Sequence, residues 1–452
     1  MANGEGRRPG AAEDGAVSRG DVFRALLKGA VKVENGEIPL MLAAAALFFC
    51  VLASNYVIRP LRDEMGVSTG DSLSWLFVGT LLGTLLLNPP FALLVARNSR
   101  RVFIPIVYRI VAATLVLAYA GLVFLPEAAR PVVAQIFFVW ASVYNLLIVS
   151  VFWGFMADVF RSEQGKRLFG FIALGGSLGG IVGSLTASLA PWIGSFTLLL
   201  IAAAALELAL VFLRRIARRA PEAAAPRPAT DVNPWRDMAE GFRLLAKSPY
   251  LLGIAAYITL YALSSTLLYF EQRDIVGKAY SDRDQRTQFF AWIDLSTNVL
   301  SLAFQGFVTG RLLPRLGLVA GLLVMPVLST LGLLGLEMWP ALGLLFAVQV
   351  IRRSSEYGIV KPTREVLWTV TAREEKYVAK QLVDVPIYRG GDVIGAWWEK
   401  LMQALGLGLR GMTVTFLPLA AAWIGLSFWL ARRQRKLAAL RETSGAAPAA
   451  PR

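Results

Sequence analysis

The sequence predicts an all-α membrane protein in which twelve transmembrane helices form two bundles of six. Hydrophobic residues make up 56% of the 452 residues, charged residues make up 17%, and the mean hydropathy is +0.55. The apolar residues occur in runs of about twenty, which is the length that crosses a bilayer as a helix. A segment rich in alanine and proline, 220–229, separates six of these runs from six more.

Each of the twelve runs is expected to be a helix, because backbone groups in lipid find no water and must bond within their own segment. The first six runs lie near 38–58, 72–96, 102–125, 131–157, 168–190 and 192–213. The second six lie near 249–271, 287–309, 317–337, 340–360, 383–405 and 410–430.

The runs divide the chain into five segments. These are a tail with an amphipathic helix (1–37), the first bundle (38–213), a linker with a second amphipathic helix (214–248), the second bundle (249–430) and a basic tail (431–452). The two amphipathic stretches, 21–33 and 235–247, each precede the first span of a half. We expect them to lie in the inner headgroup layer, although ordinary flanks beside the membrane are the alternative.

Basic residues predict the orientation of the helices. Most of the 46 lysine and arginine residues fall in the tails and in the loops on the side of the N-terminus. Because such residues stay in the cytoplasm, both termini are expected there, with the helices in a bacterial inner membrane. The formal charge of +15 follows from this bias, and the scatter of basic residues over many loops predicts no nucleic-acid partner. A monomer in contact with membrane lipid is expected.

The residue types that are missing exclude several classes of enzyme. The chain has no histidine, which excludes histidine-ligated metals and Ser-His-Asp or Cys-His nucleophiles. Its single cysteine, Cys50, has no partner for a disulfide within the chain. Acidic metal-binding clusters and phosphate-binding glycine loops are also missing from the sequence. We therefore expect no enzyme activity, no cofactor and no metal.

Charged residues inside or beside apolar spans are the main functional signal, because each costs several kcal/mol unless it faces water or a partner. At the end of span one, Pro60 is expected to break the helix and leave Arg59 and Arg62 at the broken end. Arg59 and Asp63 are four residues apart and could pair on one face. Guanidinium groups there could bind phosphate or carboxylate, or the stretch could be a solvated loop.

The densest group of charges surrounds spans ten and eleven. Spacings of three or four residues predict ion pairs within each helix. The predicted pairs are Arg352 with Glu356, Lys361 with Glu365, and Arg389 with Asp392. The group as a whole has a net positive charge, which suits an anionic substrate. The structural alternative is that these residues form a salt-bridge network at an inner gate.

Two further patterns allow a functional and a structural interpretation. Tyr257, Tyr261, Ser265 and Tyr269 recur every four residues in span seven, on one face that could stack on a planar ring or simply pack against other helices. In span five, glycines between 175 and 183 recur every four residues. This spacing favours close packing of two helices over a ligand site.

Three stretches resemble the nucleotide transporter family that includes the ATP/ADP translocases of plastids and intracellular bacteria, within the major facilitator superfamily. They are Asn55-Tyr56 through Arg62-Asp63-Glu64; Phe152-Trp153-Gly154-Phe155 with 165–169; and Tyr357 through Lys361-Pro362 and Arg364-Glu365, with Lys380 and Asp384. The loop 310–317 resembles the Gly/Arg-rich loop of the superfamily. The resemblance implies a major facilitator-type fold and exchange of nucleotides, or their symport with protons.

The chain also departs from that family. Leu76, Phe77 and Val78 stand where family exchangers have a lysine, and Ala141 and Ser142 stand where they have a glutamate. Glu271 is only an offset counterpart of the family's acid in span seven, whereas Lys380 matches. These departures leave two candidates for the cargo, a different nucleotide or a less highly charged organic anion.

Together the residues predict a secondary active transporter for an anionic solute, most simply a nucleotide or a related phosphorylated or organic anion. Two other functions stay open: an efflux pump for amphipathic compounds, and a receptor or assembly partner without transport. The candidate substrate-binding residues are Arg59, Arg62, Tyr144, Asn145, Tyr257, Tyr261, Lys361, Arg364, Lys380 and Arg389. The candidate coupling or gating residues are Asp63, Glu271, Asp294, Arg352, Glu356, Glu365 and Asp392.

Overall fold

The computed structural model describes residues 34, 36–97, 100–219, 234–305 and 313–443, and this part of the chain contains helices and no strand. The expected amphipathic helix at 21–33, residues 220–233 of the linker and residues 310–312 of the loop 310–317 lie outside the described residues.

Six long helices make up the first half of the described chain. They are α1 (Ile38–Ser68), α2 (Leu73–Arg97), α3 (Arg100–Phe124), α4 (Arg130–Val159), α5 (Ser162–Ala187) and α6 (Thr197–Arg219). A single helical turn, Ala190–Ile193, lies between α5 and α6.

The second half begins with a short amphipathic helix, α7 (Pro234–Lys247), in the second predicted amphipathic stretch. Its position at a membrane surface stays a prediction. The helices that follow are α8 (Pro249–Ala279), α9 (Arg283–Phe304), α10 (Leu313–Met338), α11 (Leu342–Ser355), α12 (Lys361–Leu367), α13 (Arg373–Leu382), α14 (Tyr388–Ala404) and α15 (Gly408–Thr443). One π-helical turn, Glu356–Val360, joins α11 to α12, and another, Val383–Ile387, joins α13 to α14.

Nine helices in the described ranges are long and apolar enough to cross a membrane. The described parts of the other three predicted spans, near 287–309, 340–360 and 383–405, are also helical. They form α9, α11 with the π-helical turn after it, and α14 with the π-helical turn before it. These π-helical turns leave α11 with 14 residues and α14 with 17, and all three spans belong to the second half.

The expected break at Pro60 is wrong, because α1 continues through it to Ser68. A proline removes one hydrogen bond from a helix, but neighbouring helices can keep the segment in place when it is enclosed by them. Most of α1 is buried on all sides, including Pro60 itself. The charged residues after Arg59 therefore lie on a buried helix and not in a loop.

The last helix also extends beyond its predicted span. Helix α15 continues well past the predicted end at 430, to Thr443, without interruption. The stretch after 430 is rich in arginine, lysine, leucine and alanine, which are strong helix formers, so the helix has no reason to end at the edge of its apolar part.

The glycines of α5 lie where α1 crosses it. A Cβ atom added to Gly175 or Gly179 would overlap the carbonyl oxygen of Ala45 or Phe49 on α1. Only a residue without a side chain lets the two backbones approach this closely. The interpretation of these glycines as helix packing is confirmed.

Successive spans run in opposite directions, with α11–α12 and α13–α14 each counted as one span, so the molecule has two ends. We call the end at which α6 finishes and α7 begins the linker end, and the end at which α1 finishes the distal end. The apolar core divides into two clusters. One lies almost entirely in the first half, and the other joins the second half to Val67 of α1, Leu73, Leu76 and Phe77 of α2, and Phe138 of α4. The halves meet where α9 packs against α1 and α5, and where α2 packs against α14.

We expect Gly179→Ala to lower the melting temperature of the purified protein, because its methyl group would push α5 away from the backbone of α1. Overpacking of this kind costs about 1–3 kcal/mol. Gly170→Ala is the matched control on the same helix, since its added Cβ would meet nothing within 4 Å. Equal melting temperatures for the two variants would contradict the packing argument.

Candidate functional site

Buried ion pairs cross between the two halves at the middle of the molecule. Arg59 Nε of α1 lies 3.6 Å from Asp294 Oδ2 of α9. In the opposite direction, Arg353 of α11 lies 3.9 Å from Asp63 Oδ2 of α1 and 3.0 Å from Asp294 Oδ1. Asp63 is 2% exposed and Asp294 is 1% exposed. Each half therefore supplies an arginine to a carboxylate of the other half.

The predicted pairing of Arg59 with Asp63 within one helix is wrong. Asp63 Oδ1 instead accepts a hydrogen bond from Arg62 NH1 at 2.9 Å and from the hydroxyl of Tyr269 at 3.3 Å. Arg62 is the neighbouring residue on α1, whereas Tyr269 comes from α8. Because other helices enclose α1, a partner from outside the helix competes with the residue one turn away.

Two arginines from opposite halves converge on Ser142 of α4. Arg62 Nε donates to Ser142 Oγ at 3.1 Å, and Arg389 NH2 donates to the Ser142 carbonyl oxygen at 3.3 Å. Arg389 also pairs with Asp392 at 3.1 Å, so this predicted pair is confirmed. The Thr266 hydroxyl donates to the other oxygen of Asp392 at 3.2 Å. Charged and polar groups of both halves thus surround one backbone position.

Arg352 and Glu356 do not form the predicted pair. Arg352 is 5% exposed, donates to the hydroxyl groups of Ser329 (3.1 Å) and Ser265, and lies 5.3 Å from the Tyr261 ring centroid. Glu356 instead accepts from Arg364, which is two turns further along. The π-helical turn that begins at Glu356 changes the helical register, so spacing along an ideal α-helix does not predict which side chains meet.

The predicted pair of Lys361 with Glu365 is also wrong. Glu365 pairs with Lys380 of α13 at 2.6 Å, and Lys361 is exposed with its ammonium 4.4 Å from the Tyr357 ring centroid. Arg364 has a second carboxylate partner in Asp384, at 2.6 Å. Lys380 and Glu365 therefore pair with each other, whereas Lys361 contacts the Tyr357 ring and has no carboxylate within ion-pair distance in the part of the chain that the structure describes.

Two of the candidate substrate-binding tyrosines use their hydroxyl groups inside their own halves. The Tyr257 hydroxyl donates to the carbonyl oxygen of Leu322 at 2.8 Å. Tyr144 shares a hydrogen bond with Ser54 and stacks on Trp140 with ring centroids 4.9 Å apart. Tyr261 and Tyr269 of the predicted stripe instead contact central charged residues, namely Arg352 and Asp63.

Two further candidate residues, Asn145 and Glu271, lie in different surroundings. Asn145 is exposed, one helical turn after Ser142. Glu271 is buried in the distal part of α8, and its Oε1 atom has no hydrogen-bond partner among the described residues. Neither residue joins the ion pairs at the centre.

The distal end holds polar contacts between the halves that sequence analysis missed. Glu64 of α1 is fully buried between Arg283 Nε (3.3 Å) and Arg286 NH2 (3.5 Å) of α9. Close by, Asp284 Oδ1 accepts hydrogen bonds from the backbone N–H and the hydroxyl of Ser195 at 2.9 and 2.5 Å. These contacts hold the start of α9 against the first half.

A second set of distal contacts lies on the other side of the molecule. Glu399 of α14 pairs with Arg273 of α8 at 3.4 Å, and the Ser74 hydroxyl of α2 donates to it at 3.5 Å. The rings of Trp75 and Trp397 meet edge to face with centroids 5.2 Å apart. Both sides of the distal end are therefore joined across the halves.

At the linker end, a polar contact ties α1 to α5 within the first half. Glu37 accepts hydrogen bonds from Gln164 at 2.9 Å and from Arg167 at 3.0 Å. Burial alone would raise the pKa of Glu37, but these bonds, together with one from the backbone N–H of Glu34, hold its pKa below the usual value.

Arg353 is the main central residue that the site prediction left out. The sequence could have identified it, because Arg353 is a charged residue beside Arg352 inside an apolar span. Ser142 gave no such signal, since a serine inside a membrane helix is common and its role depends on two distant arginines. Tyr269 and Tyr357 likewise gain their contacts only through the arrangement of helices.

The family follows from comparison of the sequence with known proteins. The family model of the Major Facilitator Superfamily matches residues 13–369. The chain belongs to the Major Facilitator Superfamily. This confirms the predicted fold class, and the protein is a multi-pass membrane protein of a transporter family.

Related sequences point to one branch of the superfamily. The chain is 22% identical to ADP,ATP carrier protein 1 of Chlamydia pneumoniae over 335 residues, covering 64% of this chain and 65% of that protein. It is 20% identical to the chloroplastic ADP,ATP carrier protein 2 of Arabidopsis thaliana, covering 91% of this chain and 78% of the relative. The alignments thus cover just under two thirds of the length of the chlamydial relatives.

Solved transporter structures share the fold. The nucleoside transporter NupG aligns with a TM-score of 0.62 at 13% identity, covering 88% of this chain and 99% of that one. A bacterial homolog of the human lysosomal transporter Spinster aligns with a TM-score of 0.59 at 15% identity, covering 89% and 99%. At these identities the likeness concerns the arrangement of helices.

We expect Asp294→Asn to destabilise the protein, because Arg59 and Arg353 would both lose a buried carboxylate. Removing one partner of a buried ion pair costs about 3–5 kcal/mol. Thermal melting in detergent or nanodiscs measures the loss. Asp71→Asn is the control, since Asp71 is exposed at the distal end. If Asp294→Asn has the same melting temperature as the wild type, the ion pairs between the halves do not hold the halves together.

Proposed function

We propose that this protein is a secondary active transporter that moves an anionic solute, a nucleotide or a related phosphorylated or organic anion, by alternating access. The observation that carries the proposal is the convergence of arginines from both halves on the middle of the molecule. Arg59 and Arg62 come from the first half, and Arg353 and Arg389 come from the second.

Arginines in this arrangement suit an anion for two reasons. A guanidinium group binds phosphate or carboxylate through two parallel hydrogen bonds, and such bonds gain strength in a site of low dielectric constant. In addition, an anion between the halves can contact both at once, which is what a site at the interface of two rocking bundles requires. The placement of Arg62 and Arg389 around Ser142 fits this use.

The carboxylates give the arginines partners when no solute is bound. Asp63 and Asp294 hold guanidinium groups of opposite halves, so a bound anion would compete with them. Competition of this kind would loosen the central contact between the halves on binding. Asp392, Glu356 and the buried Glu271 are the candidates to carry a proton if transport is proton symport and not exchange.

The distal contacts provide a gate in this proposal. Glu64 with Arg283 and Arg286, and Glu399 with Arg273, close the distal end of the pathway and must separate when it opens there. From the bias of basic residues, the linker end and both termini lie in the cytoplasm of a bacterium.

The named activities of the relatives support a nucleotide as the cargo. The chlamydial and Arabidopsis thaliana relatives are ADP,ATP carrier proteins, and one structural neighbour is a nucleoside transporter. An efflux pump for amphipathic compounds would need a mainly apolar cavity with few arginines, which the central ion pairs argue against.

Uptake into liposomes tests the proposal. We expect purified protein to take up labelled nucleotides in a saturable way. Arg62→Gln and Arg389→Gln should each reduce uptake about tenfold or more, since a hydrogen bond to a charged group contributes about 1.5–3 kcal/mol. Arg432→Gln, on the exposed end of α15, is the control. Normal folding with no saturable uptake of any nucleotide would reject the nucleotide proposal and favour a receptor without transport.

A cysteine at the distal end tests the gate. Thr287 is fully buried there, so Thr287→Cys should react slowly with a maleimide. Adding Glu64→Gln leaves Arg283 and Arg286 without their carboxylate, and we expect labelling to rise about fivefold or more, which corresponds to about 1 kcal/mol. Glu127→Gln, an exposed distal glutamate, is the control. An unchanged labelling rate with Glu64→Gln would show that the contact of Glu64 with Arg283 and Arg286 is not part of the gate.

A further inference from the structure

Two basic side chains near the centre have no carboxylate within ion-pair distance among the described residues. Arg352 is almost fully buried, and its contacts are two serine hydroxyls and the ring of Tyr261. Lys361 rests on the ring of Tyr357 and is exposed. A buried guanidinium without a counter-charge is expensive, so the fold leaves a positive charge where an apolar side chain would be more stable.

The other central charges compensate one another. Arg59, Arg62 and Arg353 share two carboxylates, those of Asp63 and Asp294. The remaining pairs are Arg389 with Asp392, and Arg364 with both Glu356 and Asp384. Five arginines therefore face five carboxylates, and the charges of Arg352 and Lys361 remain as an excess of two.

A backbone irregularity places both excess charges towards one side of the same helix. Lys361 lies nine positions after Arg352 in the sequence. In an uninterrupted α-helix this spacing would put the two residues on opposite faces. The π-helical turn Glu356–Val360 accommodates one extra residue. This brings the two positions to within roughly 80° of each other around the axis.

We propose that the site binds its cargo as a dianion, a phosphate monoester whose two charges are balanced by Arg352 and Lys361. This inference rests on the proposed function and narrows its substrate class. A phosphate monoester carries about two negative charges above its second pKa of about 6, which equals the excess charge of Arg352 and Lys361. The further negative charge of a triphosphate would be balanced only if it displaced carboxylates from the other central arginines.

Ligands that share one nucleoside but differ in charge provide the test. Binding to the full-length protein in nanodiscs is measured by calorimetry with AMP, cyclic AMP and ATP, and with succinate as a dianion without phosphate. At pH 7.5 we expect AMP to bind about tenfold more tightly than cyclic AMP, which carries one charge. Below pH 6 the affinity for AMP should fall towards that for cyclic AMP, because the phosphate gains a proton.

Variants connect this preference to the two residues. Lys361→Gln and Arg352→Gln should each weaken AMP binding about tenfold and change cyclic AMP binding by less than about threefold, so that the preference for the dianion is lost. Lys361 is exposed, so its variant keeps the fold even if Arg352→Gln does not. Lys436→Gln, an exposed lysine of α15, is the control.

Each outcome decides between the two proposals. Nucleotide binding that is tightest for ATP, or that is equal for AMP and cyclic AMP, would overturn the dianion assignment and leave the nucleotide transporter standing. Binding of succinate as tight as that of AMP would overturn the phosphate monoester. If the folded protein binds none of these ligands, the proposed function itself fails and the dianion assignment falls with it.

Discussion

The structure depends on one constraint: guanidinium groups buried between two helical bundles need carboxylates, and each of the two central carboxylates serves arginines of both bundles. Asp294 pairs with Arg59 of the first half and with Arg353 of its own half, and Asp63 pairs with Arg62 of its own half and with Arg353 of the second. Separating the halves at this level would leave charges uncompensated in a low-dielectric interior. The ion pairs therefore hold the halves together, and in the proposed function a bound anion would compete with them.

Close backbone packing and the central ion pairs occupy different places in the structure. Within each half, glycines and apolar side chains let helices approach closely, as α1 and α5 do at Gly175 and Gly179. Between the halves, the contacts at the centre and the distal end are rich in ion pairs and hydrogen bonds. Polar contacts can be exchanged for others at small net cost, whereas close backbone packing cannot. A molecule built in this way has rigid bundles and an adjustable interface.

Backbone irregularities concentrate in the same region as the charges. The two π-helical turns lie in the helices that carry Arg352, Lys361 and Arg389, and Pro60 lies one residue after Arg59. Each irregularity changes the direction or register of a helix without ending it. The two π-helical turns change the register of the side chains that follow them, so Lys361 and Arg389 lie on faces that an uninterrupted α-helix would not give them.

The sequence by itself determined the class of fold, the positions of the spans and the small-residue contact of α5, because these follow from hydropathy and side-chain size along one helix. It also marked the charged residues in spans ten and eleven. It did not determine their partners. Of the pairs expected one turn apart, only Arg389 with Asp392 forms, since Arg59, Arg352 and Lys361 find other neighbours. Tertiary structure decided these contacts, because a long side chain enclosed by helices chooses among partners from several of them, and the continuation of α1 through Pro60 depends on the same enclosure.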